Sequence, residues 1–287
     1  MDKDTADIEI VKKSGERSIF SIDRLKNSLR KSGADEALVT EIANTVYKEL
    51  YDGISTREIY NRAFSLLRKR ERTFASRYKL KNAIYELGPT GFPFEKFIAA
   101  LLYYSGFKVE VGQILQGKCV THEVDIVGQK EDQHIVVECK FHGDGGRKCD
   151  VKTPLYIHSR YRDIFNFYVG NTEEETPNKG WVVTNTRFST DAIDYGECVG
   201  LYLLSWDYPK NNGLKDMIDR LGLYPVTVST LLSQREKQFL LSRDVVLCRQ
   251  LINDQFYLDH LGVSENRKKR IIKEITLLCN YNPNAKN

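Results

Sequence analysis

The chain has 287 residues, 41% of them hydrophobic, which is enough for two or three domains with apolar cores. Its 43 basic and 39 acidic residues give a net charge of only +4, so charge alone does not identify a nucleic-acid partner. The longest apolar stretch falls well short of the roughly 20 residues of a membrane span, and the six cysteines lack zinc-ligand spacing. Because the acidic N-terminus is unlike a signal peptide, we expect a cytoplasmic protein with reduced thiols and no membrane partner.

The first 90 residues show the pattern of a short β-hairpin followed by a small helical bundle. Two apolar-rich runs, 8–11 and 17–20, flank a turn with Gly15, where a positive φ is easy. Apolar residues then recur at helical spacing through four helices. The third helix opens at Thr56, and Gly88-Pro89 ends the fourth.

This unit resembles the ATP-cone, the regulatory nucleotide-binding domain of ribonucleotide reductases and of the repressor of their genes. The resemblance rests on Val-Lys-Lys-Ser-Gly at 11–15, Phe-Ser-Ile-Asp-Arg-Leu at 20–25, the turn at 51–56 and the helix around 77–87. It implies that ATP or dATP binds as a regulatory ligand, and the absence of a Walker A sequence gives no reason to expect hydrolysis. The residues implied to contact the nucleotide are Val11, Lys12, Lys13, Gly15, Arg24 and Thr56.

Two positions depart from the ATP-cone pattern. Ser14 replaces the usual Asp, and Arg24 replaces the usual Lys, so the choice between ATP and dATP stays open. The alternative interpretation is a charged hairpin on a helical bundle with solvated lysines. Almost no linker follows this unit, and we hypothesise that nucleotide occupancy shifts the next helix, which carries Glu95, or alters self-association.

The middle of the chain carries residue types that suit metal-dependent cleavage of phosphodiesters. Asp125 lies in one apolar strand, and Glu138 and Lys140 lie two apart in the next, so the last two side chains share a face. A hairpin would bring Asp125 beside Glu138, where the two carboxylates and a backbone carbonyl would hold one Mg²⁺. The metal would polarise the phosphate and activate a water, while Lys140 would orient the nucleophile or neutralise charge. An isolated Glu-x-Lys is more simply an exposed ion pair.

The segment from about 90 to 207 resembles the PD-(D/E)xK nuclease superfamily, in particular Mrr-like restriction endonucleases and archaeal Holliday-junction resolvases. Besides the motif residues above, Glu95 matches the acidic residue of the first helix, and 179–192 matches a later strand, turn and helix. Glu138 stands where many Mrr-like proteins have Gln. The resemblance implies a Mg²⁺- or Mn²⁺-dependent endodeoxyribonuclease. The implied catalytic residues are Glu95, Asp125, Glu138 and Lys140, and the metal set is Asp125, Glu138, Glu95 and Cys139.

Three further regions carry weaker signals. Residues 142–148 are rich in glycine and are interpreted as a mobile loop rather than a phosphate contact. Residues 151–169 predict a long helix, whose Lys152 and Tyr156 would face the site. Residues 213–287 are mainly helical, and the part from 260 to 270 loosely resembles helix-hairpin-helix binders of the DNA backbone, although a solvated basic helix face is equally consistent. Two histidines beside the motifs are left out of the predicted site: His122 and His142.

The sequence thus predicts an α/β (α+β overall) protein in three units. Residues 1–89 form a hairpin with a helical bundle, 90–210 a mixed β-sheet flanked by helices, and 211–287 a helical region. The expected function is a metal-dependent DNA endonuclease controlled by a nucleotide effector. A nucleotide-sensing DNA-binding or regulatory protein with an idle nuclease fold is the alternative. A homodimer would cut two strands most simply, but the sequence does not establish one. The structure, sequence or modification of the DNA substrate stays open.

Overall fold

The first part of the chain folds into three short strands and four helices. The structure, a computed structural model, describes residues 8–169 and 177–280. In chain order the first elements are β1 (Glu9–Val11), β2 (Arg17–Ile19), α1 (Ile22–Lys31), α2 (Glu36–Lys48), β3 (Ile54–Ser55), α3 (Thr56–Arg70) and α4 (Arg72–Tyr85). The predicted hairpin and helical bundle are therefore confirmed.

Strand β3 is an element that the sequence did not predict. It pairs in parallel with β1, so the small sheet has the order β2-β1-β3. Its two residues are too few to display the alternation by which a strand is recognised. The strand leads directly into α3, where Ser55 accepts a hydrogen bond from the backbone N–H of Glu58 at 3.1 Å. Thr56 therefore opens α3, as predicted.

The second part is a mixed five-stranded sheet covered by helices. Its elements are α5 (Phe92–Tyr104), β4 (Lys108–Gln116), β5 (Thr121–Lys130), β6 (Gln133–Lys140), β7 (Lys148–Cys149), α6 (Lys152–Tyr168), β8 (Lys179–Thr184), β9 (Arg187–Phe188), α7 (Thr190–Cys198) and β10 (Tyr202–Leu204). The sheet order is β10-β8-β6-β5-β4. Strands β4, β5 and β6 form an antiparallel meander, whereas β8 pairs in parallel with both β6 and β10. This is the mixed sheet that the sequence predicted.

Helices cover the two faces of this sheet. Helix α5 packs on one face, where Phe97 lies in the same buried cluster as Ile126 and Val137. Helix α6 covers the other face, where Ile157 and Val182 share a second cluster. Because side chains alternate along a strand, Glu138 lies on the face of α6.

The C-terminal region is mainly helical, as predicted. It comprises α8 (Leu214–Leu221), a 3₁₀ turn (Val226–Val228), α9 (Gln234–Leu241), α10 (Cys248–Asn253), α11 (Phe256–His260) and α12 (Glu265–Cys279). Of the helices in the described ranges, none combines the length and the apolar character needed to cross a membrane.

Helix α4 is shared between the first part and the rest of the molecule. Ala75 lies in the core of the first part. Leu80 and Ile84, further along α4, belong to the buried cluster that joins α5, the main sheet and the C-terminal helices. Arg77 forms a buried ion pair with Asp219 of α8 at 3.3 Å. A movement of α4 would therefore act on all parts of the molecule.

Candidate functional site

Two neighbouring strands of the main sheet separate where the predicted catalytic residues lie. The antiparallel register of β5 and β6 ends at Ile126 opposite Val137. Beyond this pair, β5 continues along β4 and β6 continues along β8. Asp125 and Glu138 are the next residues in the register, so they stand where the strands separate. The two stretches that separate, here called the fork, are residues 121–125 and 138–140.

Side-chain hydrogen bonds connect the two arms of the fork. Asp125 Oδ2 accepts a hydrogen bond from the backbone N–H of Cys139 at 2.6 Å. Glu138 Oε2 accepts one from Arg160 Nη1 at 2.8 Å, and Arg160 Nη2 donates to the backbone carbonyl of Glu123. Arg160 lies on α6 and is not among the residues that the sequence pointed to.

Burial and mutual repulsion make the carboxylates of the fork hard to ionise. Burial raises the pKa of Glu138 to about 7, and the negative charge of Asp125 adds to this effect. Burial also raises the pKa of Glu95 to about 7, with Asp125 again the next cause. The pKa of Asp125 is raised by burial, although its hydrogen bond from Cys139 opposes the shift. Carboxyl groups with such raised pKa values are typical of sites that bind cations or protons.

Glu95 reaches this region from the first turn of α5. Gly91 directly precedes the helix, and a Cβ atom on it would lie 2.9 Å from Glu95 Oε1. The glycine thus leaves room for this carboxylate. Phe94 and Phe97 are fully buried and fix the helix on the sheet. The fold brings Glu95 close to the carboxylates of the fork, and its catalytic role stays a prediction.

Lys140 ends β6 and is exposed, on the same strand face as Glu138. Its backbone carbonyl accepts a hydrogen bond from Thr184 Oγ1 at 2.7 Å, which holds the strand end in place. Across the described residues, the ion pair of Glu138 is with Arg160 and not with Lys140. The ammonium group of Lys140 is therefore accessible to a phosphate group that approaches the carboxylates.

The oxygen atoms of the fork suit a cation that keeps several of its waters. In the described ranges, no three His, Cys, Asp or Glu side chains are grouped to hold a metal ion unaided. Mg²⁺ needs fewer, because it binds through one or two carboxylates and retains water molecules. The Cys139 thiol is buried, and burial raises its pKa well above the usual range. Of the atoms of Cys139, the backbone carbonyl is therefore the one that remains as a metal ligand.

A glycine in the neighbouring strand leaves space beside Asp125. The register of β4 with β5 places Gly112 across from Asp125. Its φ is +66°, and a Cβ atom there would meet no atom within 4 Å. A glycine inside an otherwise regular strand is the sequence signal that would have identified it.

Helix α6 reaches the fork through Arg160, and the orientation of Lys152 and Tyr156 toward the site stays a prediction. Lys152 is exposed, and Tyr156 is 63% exposed. The Arg160 guanidinium lies 5.5 Å from the centre of the Tyr156 ring. The face of the Tyr156 ring therefore packs against the Arg160 guanidinium in a cation–π contact.

Asp163, nearly one helical turn after Arg160, fixes the turn that leads into β5. It accepts hydrogen bonds from the backbone N–H groups of Cys119 at 3.0 Å and Val120 at 3.3 Å. His122 Nε2 lies 2.8 Å from Asp163 Oδ2, and this hydrogen bond lowers the pKa of Asp163 to about 2. His122 thus has a structural partner in Asp163.

A cavity of about 240 Å³ opens between the small sheet and the helices of the first part. Three of the predicted nucleotide-binding residues line it, namely Lys12, Arg24 and Thr56. Its wall includes Tyr60 and Tyr78, whose stacked rings have centroids 5.1 Å apart. Cations beside aromatic rings suit a ligand that combines negative charge with a planar base.

The other three predicted nucleotide-binding residues do not line this cavity. Val11 lies in β1, paired with β2 and β3. Gly15 has φ +83° and forms the tight turn between β1 and β2. Lys13 is exposed, and its ammonium pairs with Asp144 of the second part at 2.9 Å. Their contact with a nucleotide stays a prediction.

The basic run of the C-terminal region is partly used within the fold. Arg267 and Lys268 form ion pairs with acidic side chains of α9 and α11, respectively. Lys269 and Arg270 are exposed. Gly262, with φ +64°, makes the turn between α11 and α12. Only the exposed pair is free of these ion pairs, so the likeness to a helix-hairpin-helix DNA binder stays weak.

Family models match three segments of the chain. The ATP cone domain matches residues 8–85, a restriction endonuclease family matches 89–205, and the AF1548-like C-terminal family matches 224–279. Together they confirm the predicted fusion of a cone with a restriction endonuclease domain.

Two comparisons each match almost the whole length of the other protein. An uncharacterised protein of Archaeoglobus fulgidus is 30% identical over 178 residues, which is 62% of this chain and 97% of that protein. The crystal structure of a protein of unknown function, AF1548, is 27% identical with a TM-score of 0.54, and the match covers 66% of this chain and 98% of the other. The chain therefore belongs to the family of the Archaeoglobus fulgidus protein and carries an ATP cone domain followed by a restriction endonuclease domain.

Proposed function

We propose that the chain is a Mg²⁺- or Mn²⁺-dependent DNA endonuclease whose activity is controlled by ATP or dATP bound in the cone. The observation that carries the proposal is the fork, where Asp125 and Glu138 meet, with Glu95 close enough to be coupled to Asp125 by charge. Lys140 supplies the cation of the motif at the same strand end. The restriction endonuclease family match agrees with this chemistry.

Each residue of the fork has a separate role in the proposed reaction. Asp125, Glu138 and the backbone carbonyl of Cys139 would hold the cation, and Glu95, beside the fork, would assist them. A bound divalent cation supplies a polarised phosphate and a more acidic water. Lys140 orients the attacking water or neutralises charge on the phosphate as the bond to the leaving oxygen breaks.

A panel of labelled DNAs tests the reaction and its substrate together. Linear, branched and methylated DNAs are incubated with Mg²⁺ or Mn²⁺, and products are separated on gels. We expect cleavage of at least one DNA by the native chain and none by Asp125→Asn. A symmetric homodimer would cut both strands of a duplex, and sedimentation of the protein with and without DNA tests this arrangement. Equal cleavage by Asp125→Asn and the native chain would refute the assignment.

Three contacts support control of this site by the cone. Lys13, in the β1–β2 turn, pairs with Asp144. A Cβ atom on Gly145 would lie 2.9 Å from the Tyr85 hydroxyl at the end of α4. A Cβ atom on Gly88, just after α4, would lie 2.6 Å from the ring of Phe141. The loop that follows Lys140 is therefore packed against the cone at its turn and at its last helix.

This packing gives a nucleotide a route to the fork. Tyr78 of α4 lines the cone cavity, and the end of the same helix touches the loop after Lys140. A ligand that moves α4 or the β1–β2 turn would shift this loop, provided that it binds the two positions with different affinity. Cleavage rates measured with ATP, dATP and no nucleotide test the control. Identical rates, with nucleotide binding confirmed by calorimetry, would contradict it.

A further inference from the structure

Arg160 occupies the gap that the separating strands leave in the sheet. Paired β-strands satisfy each other's backbone groups, and past Ile126 this ladder between β5 and β6 stops. Arg160 Nη2 donates to the Glu123 carbonyl on one arm, and Nη1 donates to Glu138 Oε2 on the other at 2.8 Å. One side chain of α6 thus spans both arms of the fork.

Arginine suits this task better than lysine does. Its guanidinium is planar and carries donors at fixed angles, so it can bond a carboxylate and a carbonyl at once without changing shape. The Arg160 side chain is 15% exposed and that of Glu138 is 23% exposed, so solvent competes weakly for their hydrogen bond. The Tyr156 ring restricts the guanidinium further, at 5.5 Å from its centre.

We infer that Arg160 is a positioning residue, which orients Glu138 and sets the separation of the fork so that Glu138 and Asp125 bind one divalent cation. The inference rests on the proposed function. Arg160 uses Oε2 of Glu138, and the second carboxylate oxygen remains for the cation. Partners that hydrogen-bond a ligating carboxylate fix its direction and strengthen metal binding.

A competing role for Arg160 predicts the opposite result. A cation that merely neutralises Glu138 until the metal arrives would have to be displaced, so its removal would tighten metal binding. The sign of the change in metal affinity therefore separates positioning from competition.

Mn²⁺ binding to the full-length chain, measured by electron paramagnetic resonance, gives this sign. We expect Arg160→Gln to weaken Mn²⁺ binding by about 10- to 100-fold, as is typical for partners of metal ligands. Arg160→Lys keeps the charge but not the two fixed donors, and it should recover only part of the loss. Arg162→Gln is the matched control, because Arg162 is exposed on the same helix beside the Phe165 ring. Unchanged or tighter binding by Arg160→Gln would overturn the inference.

Two further measurements separate this inference from the proposed function. If Mn²⁺ binds the native chain and Glu138→Gln equally well, the metal site itself is wrong. If Glu138→Gln binds more weakly, then adding Arg160→Gln to it should cost less than Arg160→Gln costs in the native chain, and an equal cost would refute positioning through Glu138. Circular dichroism checks folding. Should Arg160→Gln fail to fold, Arg160→Lys decides by the same criterion, because Mn²⁺ binding as tight as the native chain's would overturn the inference.

Discussion

The fork and the cone cavity are both lined by charged residues, but their charges are arranged differently. In and beside the fork, the negative charge of Asp125 adds to burial in raising the pKa values of Glu138 and Glu95. In the cone, Lys12 already has a partner in Glu16 at 2.8 Å, in an exposed ion pair. Repulsion among half-buried carboxylates is relieved only by a cation or a proton, whereas the cone can exchange one anion for another at little cost. This difference fits the proposed roles, in which the fork binds a catalytic cation and the cone binds a nucleotide reversibly.

The largest effect should come from removing one carboxylate of the fork. Asp125→Asn keeps the side-chain volume but removes a charge that the cation requires, so we expect both DNA cleavage and Mn²⁺ binding to fall below detection. Cleavage is measured on labelled DNA and binding by electron paramagnetic resonance. Asp132→Asn, in the exposed turn between β5 and β6, is the control and should behave as the native chain. Retained cleavage in Asp125→Asn would show that the fork is not the catalytic metal site, and the contrast with the cone would then fail.

Loss of Lys140 should separate catalysis from metal binding. Lys140→Met removes the ammonium that is expected to act on the transition state, and a loss of about 100- to 1,000-fold in cleavage rate is typical for such groups. Mn²⁺ binding should persist, because the carboxylates remain. Single-turnover cleavage at saturating Mn²⁺ measures the rate. A variant that loses metal binding as well would assign Lys140 to the structure of the site instead.

The pH dependence of metal binding should follow the raised pKa values. Glu138 and Glu95 have pKa values of about 7, above the ordinary range, so both are largely protonated below pH 7 and must lose protons to bind a cation. Mn²⁺ affinity should therefore fall as pH decreases from 8 to 6, approaching tenfold per pH unit for each proton displaced. Glu95→Gln should flatten the profile. A flat profile in the native chain would show that the carboxylates are not coupled to the cation.

The raised pKa values of Glu138 and Glu95 also stabilise the folded chain at low pH. A carboxyl whose pKa is higher in the folded than in the unfolded chain binds its proton more tightly when folded. The contribution of Glu138 and Glu95 to stability is thus greatest at acid pH, and it is lost as pH rises through 7 in the absence of metal. Thermal unfolding of the metal-free chain and of Glu138→Gln at several pH values measures this contribution.

Sequence patterns predicted that Asp125 lies beside Glu138, but they did not predict the residues that hold this pair in place. The difference has a physical reason. Asp125 and Glu138 are equally distant from the turn between β5 and β6, so a hairpin must place them opposite each other. Arg160 could not be predicted, because several basic and polar residues occur at similar spacing along α6. Only the packing of the helix on the sheet decides which of them reaches the fork. The pair of Lys13 with Asp144 joins residues 131 positions apart, and no local pattern encodes such a contact.

An intermediate effect is expected in the cone cavity. Arg24 lines the cavity, so Arg24→Gln should weaken ATP binding by about tenfold, the value of one charge-assisted hydrogen bond. Lys31→Gln, exposed at the end of the same helix, is the control. Calorimetry measures the affinity for ATP and dATP. If Lys13→Gln weakened binding more than Arg24→Gln, the phosphates would lie on the β1–β2 turn rather than in the cavity.

The smallest effect should come from the ion pair that joins the two regions. Lys13 and Asp144 are 76% and 59% exposed, and exposed ion pairs contribute only about 0–1 kcal/mol to stability. Asp144→Asn should therefore leave thermal unfolding and basal cleavage unchanged. The response of cleavage to nucleotide should shrink by a few-fold at most, and more at low salt than at high salt, because salt screens the native pair. Asp150→Asn, which is also exposed and follows β7, is the control. A full nucleotide response in Asp144→Asn would leave α4 as the route between cone and fork, because Tyr85 and Gly145 remain in contact without the ion pair.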